Sequence, residues 1–340
     1  MSAPADYLLP LRWQAGERHG EALADLVGYL SGLPGDVRVT VVDGSPPGLR
    51  ALHAAALPAH VRHLPAAQVP AANGKVIGVL TALPRLTRRA LVIADDDVRY
   101  TEEGLGEVLR RLDRADMIVP QNVFTTADGS PLPWHARWDT ARSLLNRAFG
   151  TDYPGTLAVR RELLDGGYDP HVLFENLELI RTVRARGGRV ECGRDVYVPR
   201  RPPTVRRFWE QRVRQAYDSR AQPVRRAAEL LLVPLVLLAL RRPPLLLCCT
   251  LGAIALAECG RRRDGGASAF PAGSALWAPV WLLERGVCAW IALAAGMRGG
   301  IGYRGSRLHI AAHSEGWLRR RERGYCDEDA WKPAHEEEQA

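Results

Sequence analysis

The chain has 340 residues, 46 % of them hydrophobic and 25 % charged, with a mean hydropathy of −0.16. That balance excludes intrinsic disorder, because ample apolar surface exists to bury, and leaves room for only a few membrane segments rather than a polytopic transporter. Six cysteines without C-x-x-C spacing build neither a disulfide scaffold nor a zinc site, and they point to a reducing, cytoplasm-facing protein. The formal charge is +8, but all except Lys75 and Lys332 of the 46 basic side chains are arginine, a compositional bias that names no nucleic-acid partner. The excess is also local. Between Arg200 and Arg226 nine arginines face only Glu210 and Asp218, and an apolar run follows. A basic block so placed points to an anionic membrane surface or a bound pyrophosphate before it points to DNA.

In chain order, short apolar runs alternate with amphipathic ones. Residues 1–6 lack a positive n-region and 7–13 are too short for an h-region, so no signal peptide is expected. Residues 7–12 read as a strand, about 17–30 as a helix, and 37–42 as a second strand that ends in Asp43-Gly44-Ser45. A Pro/Ala/His-rich connection leads to a helix over 75–83. Residues 90–94 form a strand that stops at Asp95-Asp96-Asp97, 102–112 form a helix, and 116–119 open a further strand. Strands alternating with helices imply parallel β-α-β units and a sheet covered on both faces. Ligands of such sheets sit beyond the carboxyl ends of the strands. Two of those ends carry carboxylates, at Asp43 and at Asp95–Asp97.

From residue 227 the texture changes. Residues 227–240 are apolar apart from Glu229, Arg241-Arg242-Pro243-Pro244 interrupts, and 245–259 are apolar apart from Glu258. One continuous helix would bury two arginines mid-membrane at roughly 2.5–3.5 kcal/mol each. Two helices of about 14 and 15 residues, roughly 21 and 23 Å long, fit better, as an interfacial hairpin or a thin two-span one. A third apolar segment, 275–296, carries Trp277, Trp281 and Trp290, suited to the headgroup region, but also a central Glu284-Arg285 pair.

Asp95-Asp96-Asp97 is the sharpest chemical feature. Carboxylates one residue apart on a turn after a strand offer oxygen ligands to a hard divalent cation, which keeps open positions for substrate phosphates. Around it, in order, stand Asp43, then Asn73-Gly74-Lys75, Gly155-Thr156, Phe174-Glu175-Asn176-Leu177-Glu178-Leu179 and Gln211-Arg212-Val213-Arg214. This ordered set, over roughly residues 7–220, resembles the family-2 glycosyltransferases of GT-A fold, in particular membrane-attached members with a D…DxD…ED…QxxRW pattern.

The resemblance implies an α/β GT-A domain over residues 1–222, a Rossmann-like, mostly parallel sheet with helices on both faces. Hydrophobic membrane-associated helices over 223–300 and a polar tail over 301–340 follow. It implies that Asp43 contacts the nucleotide base or ribose, that Gly74 and Lys75 lie near its phosphates, and that Asp97 and Asp95 hold Mg2+ or Mn2+, with Asp95 also placed toward the ribose. Gln211 and Arg214 match the Q and R of QxxRW, where a guanidinium can grip diphosphate oxygens bidentately. Two positions depart from the pattern. Gln215 replaces the tryptophan, with Trp209 and Tyr217 nearby as substitutes, and Asn176 stands where the catalytic base belongs. An amide cannot take a proton, so Glu175, or Glu178 three residues on, is the expected base. Residues 152–156 would then lie on the acceptor side, behind an aromatic cluster of Trp134, His135 and Trp138 that reads as a packed connection or a stacking surface.

The reading is thus a metal-dependent, inverting glycosyltransferase at the cytoplasmic face of the cell membrane. It would take a nucleotide-sugar donor and a hydroxyl acceptor that is a lipid or another envelope-glycan precursor. Two rivals remain at the sequence level: a nucleotidyltransferase on a similar sheet, disfavoured by the missing Gly-rich triphosphate loop, and a non-catalytic membrane scaffold, motivated by Asn176 and Gln215.

Overall fold

The computed structural model describes residues 4–14, 19–70, 72–150, 152–303 and 306–324. The first half runs β1 (Ala5–Leu11), α1 (His19–Ser31), β2 (Val37–Asp43), α2 (Pro47–Ala56), β3 (Arg62–Pro65), α3 (Gly74–Ala82), β4 (Ala90–Ala94) and α4 (Glu102–Arg111). β5 (Met117–Phe124), α5 (Trp134–Phe149), β6 (Thr156–Arg160), α6 (Glu175–Ala185) and β7 (Val190–Arg200) complete the sheet. After it come α7 (Val205–Asp218), α8 (Pro223–Ala239), α9 (Pro243–Arg262), the short α10 (Gly266–Ala269), α11 (Ala278–Met297), β8 (Ile301–Tyr303), β9 (Ser306–Leu308) and α12 (Glu315–Glu322).

Seven strands pair in the order β3-β2-β1-β4-β6-β5-β7, and all neighbours are parallel except at β6, which is antiparallel to both β4 and β5. This is a mostly parallel α/β sheet, as expected. β1, β2, β4, β5 and β6 are buried on both faces, which explains their largely apolar sequences. Ala5, Tyr7, Leu9 and Leu11 of β1 point into one core with Leu26, Leu30, Leu105 and Val108 of α1 and α4. Leu8, Leu91 and Ile93 point into the other, with Val76 and Val79 of α3 and Ile180 and Val183 of α6. Strand order reverses between β1 and β4, the switch point at which an open α/β sheet leaves a crevice at its carboxyl edge.

Two features lie beyond what the alternation of strands and helices in the sequence shows. The connection before α3 contains α2 and β3. β3 is a four-residue, half-exposed edge strand with the sequence RHLP, too polar to show an apolar alternation. β6 is reversed because the chain reaches it at the carboxyl edge: the Asp95 amide donates to the Gly155 carbonyl at 2.8 Å, and from there the strand must run back.

The apolar helices break at 241–242 as expected, and they pack on the sheet domain rather than leave it. Ala253 and Ala257 of α9, with Phe270, Ala278 and Trp281, form one core with Ala141, Leu144 and Leu145 of α5. A Cβ at Gly260 would overlap the Leu144 carbonyl, so only glycine lets α9 approach that closely. Residues 301–303 and 306–324 fold back as well. The Leu173 and Phe174 amides, just before α6, donate to the Ile310 and Ala311 carbonyls. The acidic end at 336–338 lies outside the described residues.

α3, which carries Lys75, sits against β1 through another glycine. A Cβ at Gly78 would stand 2.7 Å from Cβ of Pro10, whereas one at Gly28 in α1 meets nothing within 4 Å. Gly→Ala in an open helix position gains about 0.5–1 kcal/mol, and overpacking costs about 1–3 kcal/mol. Gly28→Ala is therefore expected to raise stability and Gly78→Ala to lower it, as read by the midpoint of denaturant unfolding. Two shifts of the same sign would refute the close α3–β1 approach.

Candidate active site

The carboxyl ends of β2 and β4 meet the amino end of α3 at the switch point. Asn73 caps α3, its Oδ1 accepting from the Lys75 amide at 3.0 Å, which aims the Lys75 side chain across the crevice. Lys75 Nζ lies 2.7 Å from Asp95 Oδ1, 3.0 Å from Asn176 Oδ1 and 3.6 Å from Glu175 Oε1. The Asn73 amide donates to the Val172 and Leu173 carbonyls and, at 3.2 Å, to Glu175 Oε2. Asn176 donates in turn to the Pro154 carbonyl at 2.8 Å. At the position expected for a base there is thus an amide that ties α3, α6 and the chain before β6 together.

The three aspartates divide their partners. Asp95 faces Lys75 and, at 3.8 Å, Arg200. Burial would raise its carboxyl, but Lys75 and Arg200 outweigh burial and hold it below the usual carboxylate range. Asp96 accepts from the Trp13 indole and lies 3.8 Å from Arg207. Asp97 Oδ2 accepts from Arg200 Nε at 2.8 Å, while its Oδ1 is buried without a hydrogen-bond partner. Burial lifts the Asp97 carboxyl, Arg200 opposes that, and the Asp96 and Asp95 charges add to the rise. Gly155 completes this corner. A Cβ there would lie 2.5 Å from Asp95 Oδ2, so the segment before β6 must be glycine to pass the carboxylate.

Other expected residues sit differently. Asp43 is fully buried: Oδ1 accepts from the Ser45 amide at 2.8 Å, and Oδ2 lies 2.6 Å from His53 Nδ1 and 3.1 Å from His63 Nε2. It positions two histidines at the β2 edge instead of presenting a bare carboxylate to a ligand. Burial would raise its carboxyl, but the hydrogen bonds from Ser45, His53 and His63 win and lower it. Glu178 is the clearest correction to the expected pair of bases. Its side chain is wholly buried and turned toward the 309–313 segment, accepting from the His313 amide at 2.7 Å and facing His313 Nδ1 at 2.9 Å. Glu175 lies at the crevice, with both oxygens engaged by Lys75 and Asn73.

α7 brings the basic block to the site. Arg207, Gln211, Arg214 and Asp218 are spaced four, three and four apart, one face of a helix. At one end of that stripe Arg207 reaches Asp96. At the other, Asp218 lies within electrostatic reach of Glu175. Arg214, between them, stacks over the Tyr303 ring at 5.3 Å. The guanidinium that contacts Asp97 is Arg200, at the end of β7, which the motif order did not single out. Arg212 faces the opposite way. It is buried, bonded to Asp139 at 3.1 Å, and Asp139 also contacts Arg142, which reaches Asp152 at 2.8 Å. Burial of Asp139 is overcome by Arg212 and Arg142, which hold its carboxyl far below the usual range. This ionic chain fastens α7 to α5 and to the segment before β6. Trp134, His135 and Trp138 pack with Phe208 and Trp209 of α7, and Trp138 stacks on Trp277. The Tyr217 hydroxyl donates to the His309 carbonyl. Trp209 and Tyr217 are thereby occupied in packing.

Among the described residues no group of three or more His, Cys, Asp or Glu side chains is arranged to hold a metal ion. No family profile matches the chain, and no curated protein matches it. Among solved structures it is similar to the mannosyltransferase PcManGT from Pyrobaculum calidifontis, in complex with GDP-Man and Mn2+ (18 % identity, 89 % of this chain and 77 % of that one, TM-score 0.45). It is also similar to glucosyl-3-phosphoglycerate synthase from Mycobacterium tuberculosis, in complex with Mn2+, UDP and glucosyl-3-phosphoglycerate (17 %, 62 % and 77 %, TM-score 0.40). A third likeness is to S. aureus TarS 1-349 (13 %, 63 % and 64 %, TM-score 0.40).

The Asp43 cluster has a pH signature. A carboxyl depressed on folding stabilises the protein above its unfolded value of about 3.9 and loses that contribution as pH falls through the lower folded value. Replacing charge-assisted hydrogen bonds costs about 1.5–3 kcal/mol. Asp43→Asn should therefore be less stable by about 2 kcal/mol at pH 7, with the gap to wild type closing below about pH 4. Urea unfolding across pH checks it, and a gap that persists into acid would contradict the assignment.

Proposed function

We propose that the chain is an inverting glycosyltransferase that moves a sugar from a nucleotide-sugar donor to a hydroxyl acceptor at the cytoplasmic face of the cell membrane. The acceptor is a lipid or another envelope-glycan precursor. The observation that carries this reading is the meeting of Asp95, Asp97, Lys75 and Arg200 at the carboxyl edge beside the β1–β4 switch point. Carboxylates and cations interleaved in this way suit a diphosphate together with its counter-ion.

Asp95 and Asp97 fit a divalent cation. The orphaned, buried Oδ1 of Asp97 is an oxygen donor in need of a partner, and the two carboxylates form the all-oxygen set that Mg2+ or Mn2+ prefers. When bound there, the cation would neutralise charge developing on the departing diphosphate. Lys75 serves the donor phosphates, its ammonium already held toward them by Asp95 and Asn176. Arg200 and Arg207 supply guanidinium groups for diphosphate oxygens, a stabilisation that is largest where charge develops in the transition state. Gln211 and Arg214 continue that face of α7 past the phosphates. Asp43 acts on the nucleotide side through His63, which is partly exposed, while His53 is buried beneath Trp13.

Membrane attachment rests on the C-terminal helices. Two segments, Pro243–Ala269 and Ala272–Met297, are long and apolar enough to cross a membrane. Their inner faces are taken by α5, and they expose Leu247, Leu251, Leu283 and Val287, beside Leu235 and Leu238 of α8. An exposed apolar surface of this kind on one side of a domain marks an interaction face. Because α9 is pressed against α5, we read the hairpin as lying in the membrane interface, with the exposed Arg241 and Arg242 available to anionic headgroups.

A thermal-shift series with UDP-, GDP- and dTDP-sugars and Mn2+ tests the donor site. Saturation at about 100 times Kd adds about 2.7 kcal/mol, a shift of several degrees. One donor class should stabilise the wild type, and Asp97→Ala should lose the Mn2+-dependent part; no stabilisation by any of them would overturn the reading. For the membrane face, the double variant Leu238→Asp/Leu247→Asp should fall at least tenfold in co-sedimentation with phosphatidylglycerol vesicles. Unchanged partitioning would place the contact elsewhere.

A further inference from the structure

We propose that Asp218 is the general base of this transfer. It takes the proton of the acceptor hydroxyl while that oxygen bonds to the anomeric carbon and the bond from that carbon to the diphosphate oxygen breaks, the electron pair leaving with the diphosphate. This assignment rests on the glycosyltransferase reading above and names the group that reading lacks.

The case begins with elimination among the carboxylates along this edge of the sheet. Asp43 is held by Ser45, His53 and His63, Asp95 by Lys75, Asp96 by the Trp13 indole, and Asp97 by Arg200. Asp139 and Asp152 are locked in the arginine chain, Glu175 is shared by Lys75 and Asn73, and Glu178 is buried on His313. Asn176 is an amide with both ends in use. Asp218 shares with Asp97 a buried Oδ1 that no donor reaches, but Asp97 is held through Oδ2 by Arg200 and is given to the cation above, whereas Asp218 stands away from the aspartate triplet at the far end of α7.

Its position suits the task. Asp218 ends the α7 stripe that begins at Arg207 beside the aspartates and passes through Gln211 and Arg214, so a substrate lying along α7 has its phosphates at one end and Asp218 at the other. The charged groups that bear on it are Arg214 of its own helix, Glu175 of α6, Arg225 of α8 and Arg285 of α11. Burial pushes its carboxyl up to about 7, with Arg214, Arg285 and Arg225 restraining the rise and Glu175 adding to it. A base of that strength is half deprotonated at working pH and still a strong acceptor, the condition in which proton transfer is most efficient.

The test uses the full chain and follows release of nucleoside diphosphate from UDP-, GDP- and dTDP-sugars with Mn2+, water serving as acceptor. Wild type should show an acid limb in kcat centred near pH 7. Asp218→Asn should lower kcat by about 10²–10⁴-fold and abolish that limb, with donor KM within about twofold. Calorimetric affinity of Asp218→Asn for the nucleoside diphosphates should match wild type, which separates loss of the base from loss of the fold. Formate should restore part of the turnover of Asp218→Ala, and Glu175→Gln should act mainly on donor KM and keep the limb. If Asp218→Asn keeps kcat and the limb, or if Glu175→Gln removes them instead, the assignment is wrong and the donor-site reading survives. If the wild type binds no nucleoside diphosphate and releases none, the glycosyltransferase reading falls, and this proposal with it.

Discussion

Three consecutive aspartates at the end of a buried strand set the central constraint on this molecule. Unit charges about 4 Å apart near a protein surface interact by about 4 kcal/mol, so an uncompensated triplet would cost more than most single interactions contribute. The chain compensates from three directions: Lys75 from α3, Arg200 from β7 and Arg207 from α7. Each cation arrives on a different element, and those elements come together only in this fold. The compensation is also incomplete, because Asp97 remains lifted by burial and its neighbours while Asp95 is pulled down. A crevice with one carboxylate satisfied and another short of positive charge suits the cation proposed above.

Glycine makes that assembly possible at three close approaches. Gly78 lets α3 lie on β1, Gly155 lets the chain pass the Asp95 carboxylate, and Gly260 lets α9 seat on α5. The first two shape the crevice and the third fixes the apolar helices relative to it. None is required by a positive φ; each is required because a Cβ would collide. Sequence alone shows a glycine in a helix or beside a strand and has no means of showing the neighbour that forbids a side chain.

The central strands and the switch-point acids were legible because they are apolar runs cut off by Asp or Gly. β4 spans the residues expected for it, and β2 differs from its expected span by one residue. β3 and α2 were not legible, since an edge strand with half-exposed faces needs no apolar alternation. The basic block was legible as charge, and a bound pyrophosphate was among its two readings. Which arginines meet the aspartates was not legible: Arg200 does so from the end of β7 and Arg207 from the first turn of α7, while Arg212, inside the matched motif, is spent on Asp139. Glu175 and Glu178 illustrate the limit of helical spacing. Three residues apart they share a side of α6, yet one is drawn to Lys75 and the other to His313, a partner 135 positions away. Asp218 was seen only as one of two negative charges diluting the block; the burial of its Oδ1 away from any donor is a property of packing.

α7 joins these themes. One face carries Arg207, Gln211, Arg214 and Asp218, with Arg207 at the aspartates and Arg214 over the Tyr303 ring. A second is buried through Phe208 and Arg212 against α5, and a third meets α11, where Arg285 donates to Gln215 at 3.4 Å. Arg212 also lies 3.7 Å from Glu284 of α11, so the paired charges that interrupt the third apolar segment are turned inward onto α7. That explains why an otherwise apolar helix tolerates Glu284-Arg285: the pair faces protein, and Leu283 and Val287 on its exposed surface are free of charge. The same pair ties the proposed membrane-facing helices to the helix that lines the crevice. A shift of α11 would therefore bear on α7 as well as on α8, and through α7 on Arg214 and on Asp218, the base proposed above.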